Sequence, residues 1–212
     1  MLPITMRSIL QSVRWLGHAG FMIKGRRVIY IDPYQLEYPE VGDLILITHG
    51  HSDHCSPDDV KWLRKGATVI VCPESCVSEF QGDVRAVKPG DILTVKGVAI
   101  EVVPAYNVGK TFHPPESGGV GYVVTTPEGL RIYHAGDTDL IPEMKEIEAD
   151  VALLPVDGTY TMNAKEAAQA ANWIKPRLAI PMHWGTIAGS REDAERFRDL
   201  CEVEVRILKP SP

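Results

Sequence analysis

Three imidazoles and a carboxylate within six consecutive positions leave a chain few options. Here they fall in Thr48-His49-Gly50-His51-Ser52-Asp53-His54, directly after the apolar run Leu44-Ile45-Leu46-Ile47. The run predicts a strand, Gly50 lets the chain bend, and Ser56-Pro57-Asp58-Asp59 carries the start signal of a helix over 57–65. His49 and His51 are two apart, so in extended chain they point the same way. Asp53 and His54 follow after a turn and can face a second point nearby. The loop thus offers ligands to two adjacent cations and suits zinc, manganese or iron. A surface turn with accidental histidines is the poorer explanation, because three of the chain's seven histidines fall in these six positions.

Composition bounds the rest. A chain of 212 residues, 44% hydrophobic and 24% charged, suffices for one substantial domain, expected here to span 1–212. The net charge of −6 gives no bulk attraction to nucleic acid. The N-terminal stretch lacks a secretory apolar core, and no apolar run approaches membrane-spanning length. Cys55, Cys72, Cys76 and Cys201 have the spacing of neither a disulfide framework nor a zinc ribbon. A reduced, cytoplasmic protein is expected.

Along the chain, short apolar runs repeatedly end in residues with chemistry. Val13–Ile23 reads as a strand interrupted by Gly17 and Gly20, with His18 between them; strand glycines mark bulges or close backbone approach. The strand 28–31 ends at Asp32-Pro33, and Asp32 either orients a ligand histidine or caps the loop. Tyr34 and Tyr38 follow in a loop placed to line a pocket mouth. Short helices are expected over 74–80 and 140–149, and strands over 68–71, 84–87, 92–95 and 98–103. Pro104-Ala105-Tyr106-Asn107 ends the last of these before a Gly- and Pro-rich loop that contains His113. A hairpin over 121–133 runs into His134-Ala135-Gly136-Asp137-Thr138. A buried strand over 151–156 ends at Asp157-Gly158. Asn163 caps an alanine-rich helix over 164–175 with a core-facing stripe. The strand Leu178–Met182 delivers His183. A helix over 191–201 and a strand over 203–208 close the chain.

His49-x-His51-x-Asp53-His54 resembles the H-x-H-x-D-H signature of the metallo-β-lactamase superfamily. Gly136-Asp137-Thr138 is similar to its G-D-T motif, Trp15-Leu16-Gly17-His18 to a segment of its ascorbate-6-phosphate lactonase-like branch, and Ile31-Asp32-Pro33 also to the family. The chain as a whole is most similar to the ascorbate-6-phosphate lactonase and N-acyl-phosphatidylethanolamine phospholipase D group. The resemblance spans Trp15 to His183. It implies an α+β, four-layer αββα sandwich with ligands converging from strand ends.

It also implies two divalent cations, zinc foremost, with manganese or iron as alternatives. His49 and His51 would hold the first. Its third histidine is expected at the end of the 98–103 strand, where Asn107 stands instead. Either His113 returns from the loop or Asn107 and water complete a weaker site; a thin ligand set favours His113. Asp53, His54 and His183 would hold the second cation, with Asp137 between the two. Asp53 doubles as proton acceptor. His18 is assigned to supporting the ligands or to substrate contact, Tyr106 and Asn107 to substrate contact, and His134 to supporting the ligands. The implied activity is hydrolysis of a small ester, lactone or phosphodiester. A diiron redox protein and a metal-binding protein without turnover are the alternatives.

Overall fold

Alternating apolar residues in short runs should give strands that bury one face or both. Twelve strands form among residues 5–211, which the computed structural model describes. β1 (Val13–Gly17), β2 (Gly20–Lys24), β3 (Val28–Ile31), β4 (Leu44–Leu46), β5 (Val69–Pro73) and β6 (Asp83–Val87) make one sheet in chain order. β7 (Ile92–Val95), β8 (Val98–Pro104), β9 (Val120–Thr125), β10 (Arg131–His134), β11 (Val151–Pro155) and β12 (Leu178–Met182) make the other. Each sheet is antiparallel at its start and parallel at its end.

The two-residue period of a strand distributes the core. Ile29, Ile31, Leu44, Leu46, Val69 and Val71 join the large cluster between the sheets. Their neighbours Tyr30, Ile45, Ile70 and Cys72 join a second cluster under α2 (Pro57–Leu63), with Val60 and Leu63. On the other side, α3 (Ala164–Ile174) lies against β11, and α4 (Arg191–Leu200) lies against β12. A short α1 (Met6–Ser12) precedes β1. The result is the metallo-β-lactamase fold: two mixed sheets face to face with helices on the outside.

Polar bonds tie the two sheets at one edge. The Tyr122 hydroxyl on β9 donates to the Ile47 carbonyl beyond β4 at 2.7 Å, and Val120 N donates to Thr48 O at 3.0 Å. On the far side His183 N donates to His18 O at 2.9 Å. The loops after β1, β3, β4, β8, β10, β11 and β12 all leave at this edge, because those strands run the same way in their sheets. Chemistry gathers there.

The structure departs from the sequence reading in three places. Val13–Ile23 is a hairpin, β1 and β2, in which Gly17 pairs with Gly20 across a turn at His18-Ala19. Gly20 does mark a close approach, since a Cβ there would lie 3.1 Å from Asp32 O. The segments expected as helices over 74–80 and 140–149 are 3₁₀ turns, Glu74–Glu79 and Pro142–Glu146, too short to nucleate a full α-helix. Residues 203–208 make only an isolated bridge, Val205 with Ala179. Pro181 explains this: the next ladder bond toward that segment would need its N–H, which proline lacks.

Candidate metal centre

Each histidine ring offers two nitrogens, and a partner on one decides what the other can do. His54 Nδ1 lies 2.8 Å from Asp32 Oδ2. The same carboxylate accepts from Thr48 N at 2.8 Å and from the Thr48 hydroxyl at 2.6 Å. With its proton given to Asp32, the Thr48 hydroxyl accepts from His49 Nδ1 at 3.0 Å. His113 Nδ1 lies 3.1 Å from Asn107 Oδ1, which also accepts from His113 N at 3.2 Å. His183 Nδ1 lies 3.0 Å from Asp157 Oδ2. In all four rings an oxygen faces Nδ1, which leaves Nε2 for the cleft.

Those nitrogens converge. His49 Nε2 is 3.1 Å from His51 Nδ1, which is 3.0 Å from His113 Nε2. Ligands of a tetrahedral cation with 2.0–2.1 Å bonds sit about 3.3 Å apart, so this trio is spaced to share one ion. Asp137 Oδ1 lies 3.3 Å from His54 Nε2, and its Oδ2 lies 3.2 Å from His183 Nε2 and 3.5 Å from His113 Nε2. The carboxylate therefore reaches both groups of rings. Asp53 Oδ2 lies 3.7 Å from His54 Nε2 and 2.8 Å from His18 Nε2. The ligand-type atoms of His18, Asp53, His54 and His183 lie within 4.8 Å of one another, as do those of His49, His51 and His113.

Burial and charge test whether cations fit. His54 Nε2, His183 Nε2 and Asp137 Oδ1 are buried with no hydrogen-bond partner, a costly state for polar atoms unless something else binds them. Burial pushes His49, His113 and His18 below the ordinary histidine value, so their lone pairs are free. Burial also opposes charge on His54 and His183. The carboxylates outweigh it: Asp137 and Asp32 hold His54 well above the usual range, and Asp137 with Asp157 raises His183 to about 9. Asp137 itself is fully buried, which favours its neutral form, yet His183 and His54 hold it well below the usual carboxylate value. Its surroundings demand positive charge, which protons supply here and divalent cations would supply better. The donor set of imidazole nitrogens and carboxylate oxygens fits a divalent metal.

Backbone strain accompanies the site. His18, Asp32 and His183 all have left-handed φ, at 49°, 45° and 59°. Such non-glycine positions persist only where surrounding bonds fix them. Gly136, next to Asp137, has φ 65°, and a Cβ there would meet Val120 O at 2.7 Å. His134 braces the same turn, with Nε2 2.8 Å from Ala19 O and Nδ1 accepting from Gly136 N.

All the expected ligand residues come together, and His18 joins them. Two substrate assignments do not match the geometry. The Tyr106 hydroxyl donates to Glu143, and its side chain is absent from the cleft lining. Asn107 is 2% exposed, with its oxygen on His113 and its Nδ2 on Tyr160 O, so it positions a ring rather than meeting a substrate. Of the two roles open to Asp32, the structure shows the contact with the His54 ring. Asp157 and Thr48 were missed. Asp157-Gly158 follows an apolar strand as Asp32 and Asp137 do, and that shared placement was the available signal. The cleft, of about 280 Å³, is walled by Tyr34, Phe112, Tyr160 and Ile187. Tyr38 instead lines a separate cavity beside β2 and β3.

Known proteins share this arrangement of chain. Residues 12–183 match the family model of the beta-lactamase superfamily domain. The UPF0173 metal-dependent hydrolase of Methanopyrus kandleri is 40% identical over 93% of this chain and 96% of its own. That of Thermococcus kodakarensis is 35% identical over 94% and 96%. Among solved structures, a provisionally assigned metal-dependent hydrolase from Parabacteroides distasonis superposes with a TM-score of 0.82 at 32% identity, covering 92% of this chain and 91% of that one. Igni18, a metallo hydrolase from Ignicoccus hospitalis, gives 0.78 at 24% identity, covering 94% and 95%, which speaks to the fold.

Proposed function

Since the chain belongs to the beta-lactamase superfamily domain family and to its UPF0173 metal-dependent hydrolases, we propose that it hydrolyses a small ester, lactone or phosphodiester at a dinuclear centre. The observation that carries this reading is the carboxylate of Asp137, which reaches the converging nitrogens of both groups of rings, beside the buried and unpartnered Nε2 atoms of His54 and His183. His49, His51 and His113 would hold one cation, and Asp53, His54 and His183 the other, with Asp137 shared. Bound divalent cations supply a water-derived nucleophile at neutral pH and polarise the oxygen of the bond to be cleaved.

The chain's own residues do the rest. Asp53, partly open to the cleft, accepts the proton that the attacking water loses. His18, neutral through burial, fixes the Asp53 carboxylate through the 2.8 Å contact to its Nε2. Asp32, Asn107 and Asp157 keep His54, His113 and His183 in the tautomers that present Nε2. The likeness of the chain to the ascorbate-6-phosphate lactonase and N-acyl-phosphatidylethanolamine phospholipase D group supports an ester-like or phosphodiester bond.

The test is metal content together with initial rates on a p-nitrophenyl ester, a simple lactone and bis-(p-nitrophenyl) phosphate. Metal-depleted, zinc-loaded and manganese-loaded protein are compared. Turnover should require metal, and Asp137→Ala should lose both turnover and bound metal. Two retained ions with no hydrolysis of any probe would favour a binding protein instead.

A further inference from the structure

The polar floor of the cleft says what bond can be cut, and its walls say what the remainder of the substrate must be. We propose that the substrate carries an uncharged hydrocarbon arm, an acyl or alkyl chain, beside the scissile bond; this rests on the hydrolase reading above.

Two apolar side chains stand open at the cleft where folding alone gives them no reason to be. Phe112 is 46% exposed and Ile187 is 47% exposed, from different loops on opposite sides of β12 in the sequence. The Phe112 ring meets Tyr160 edge to face at 4.7 Å, which fixes a wall rather than a loose side chain. Tyr34 completes the rim. A chain bound at the cations would leave the floor between these four residues.

The means of holding an anionic arm are missing. No lysine or arginine lines the cleft among the described residues. Lys110, two positions before Phe112, is engaged by the Asp139 carboxylate and the Thr161 carbonyl. Helix N-termini are the other common anion sites. The three helices that start beyond site loops spend first-turn N–H groups on their own caps, Ser56, Asn163 and Ser190. A phosphorylated sugar would therefore bring its second charge into a rim with nothing to pair it, whereas a hydrocarbon chain would gain contact with each added carbon.

The test uses straight-chain carboxylates from acetate to hexanoate, whose head groups bind cations and whose tails occupy the rim. Zinc-loaded protein is titrated calorimetrically with each, and with 6-phosphogluconate as the comparison that carries a second anionic group. The dissociation constant should fall by up to about fourfold per methylene, the usual gain on burying one. Phe112→Ala and, separately, Ile187→Ser should flatten that slope while zinc content stays at the wild-type level. Equal affinities across the series, or 6-phosphogluconate binding more tightly than hexanoate, would overturn the proposal. Rates on p-nitrophenyl acetate and hexanoate separate the two claims. A binding slope without turnover of these esters, of the lactone or of the phosphodiester removes the hydrolase reading and leaves only an apolar ligand subsite; turnover without a slope removes only the arm.

Discussion

Asn107→Ala separates a positioning role from substrate contact more sharply than any other single change. The Asn107 oxygen holds the His113 ring at 3.1 Å and the His113 backbone N–H at 3.2 Å, and its Nδ2 donates to Tyr160 O at 3.0 Å. Truncation removes all three bonds in a site that is 2% exposed, so water replaces them poorly. Losing the ring bond and stranding a buried Nδ1–H costs about 2 kcal/mol of ring orientation, within the usual range for an unmet buried donor. If that cost falls on the cation bound by His49, His51 and His113, its affinity drops about thirtyfold, inside the 10–100-fold common for such outer partners. Competition against a chromophoric chelator reads the two ions separately. Only the ion at the three-histidine group should weaken, and Asn107→Asp, which keeps the acceptor, should restore most of the loss. Should Asn107→Ala keep both ions at wild-type affinity and merely raise KM, Asn107 contacts substrate and the positioning argument is wrong.

Further outcomes follow from other contacts. Asp32→Asn turns one of the two acceptor oxygens for Thr48 and His54 into a donor, so metal affinity at the second group should fall about 10–100-fold in the same chelator assay; unchanged affinity would remove Asp32 from ring orientation. Gly136→Ala puts a Cβ against Val120 O at a left-handed φ and should cost more than about 1 kcal/mol in urea unfolding; a neutral effect would mean the Asp137 turn is not so constrained. In metal-free protein, burial opposes charge on His183, but Asp137 and Asp157 raise its pKa to about 9. A raised folded value means that the charged ring stabilises fully below pH 6.5 and stops doing so as pH rises through about 9. On the order of 3 kcal/mol should thus disappear from chelator-treated protein between those limits, measured as urea midpoints against His183→Gln. Parallel curves for the two proteins would contradict the assignment.

The fold was legible because its strands are short, apolar and punctuated, and because each ends in a residue with a task. That pattern put His49, Asp137 and His183 at strand ends, and the family resemblance brought those ends to one edge. What could not be read was direction. Tyr106 and Asn107 are adjacent, yet one side chain reaches out to Glu143 and the other in to His113, a choice made by packing that no local pattern encodes. The same holds for the second nitrogen of each ring. Asp157 reaches His183 from the neighbouring strand β11, so their pairing exists only once β11 and β12 lie side by side. The stretch over 203–208 alternates like a strand, but the proline that stops its ladder sits in the partner.

The bond from His183 N to His18 O joins the loop after the first strand to the loop after the last. The residues gathered at the metal centre thus come from nearly the whole span of the chain and from both sheets. During synthesis, a chain still lacking β12 already contains His49, His51 and His113 but lacks His183 of the second group. If two cations bind as proposed, the one that needs His183 would find its full set of ligands only once β12 has docked, and a bound ion there would certify a finished sandwich.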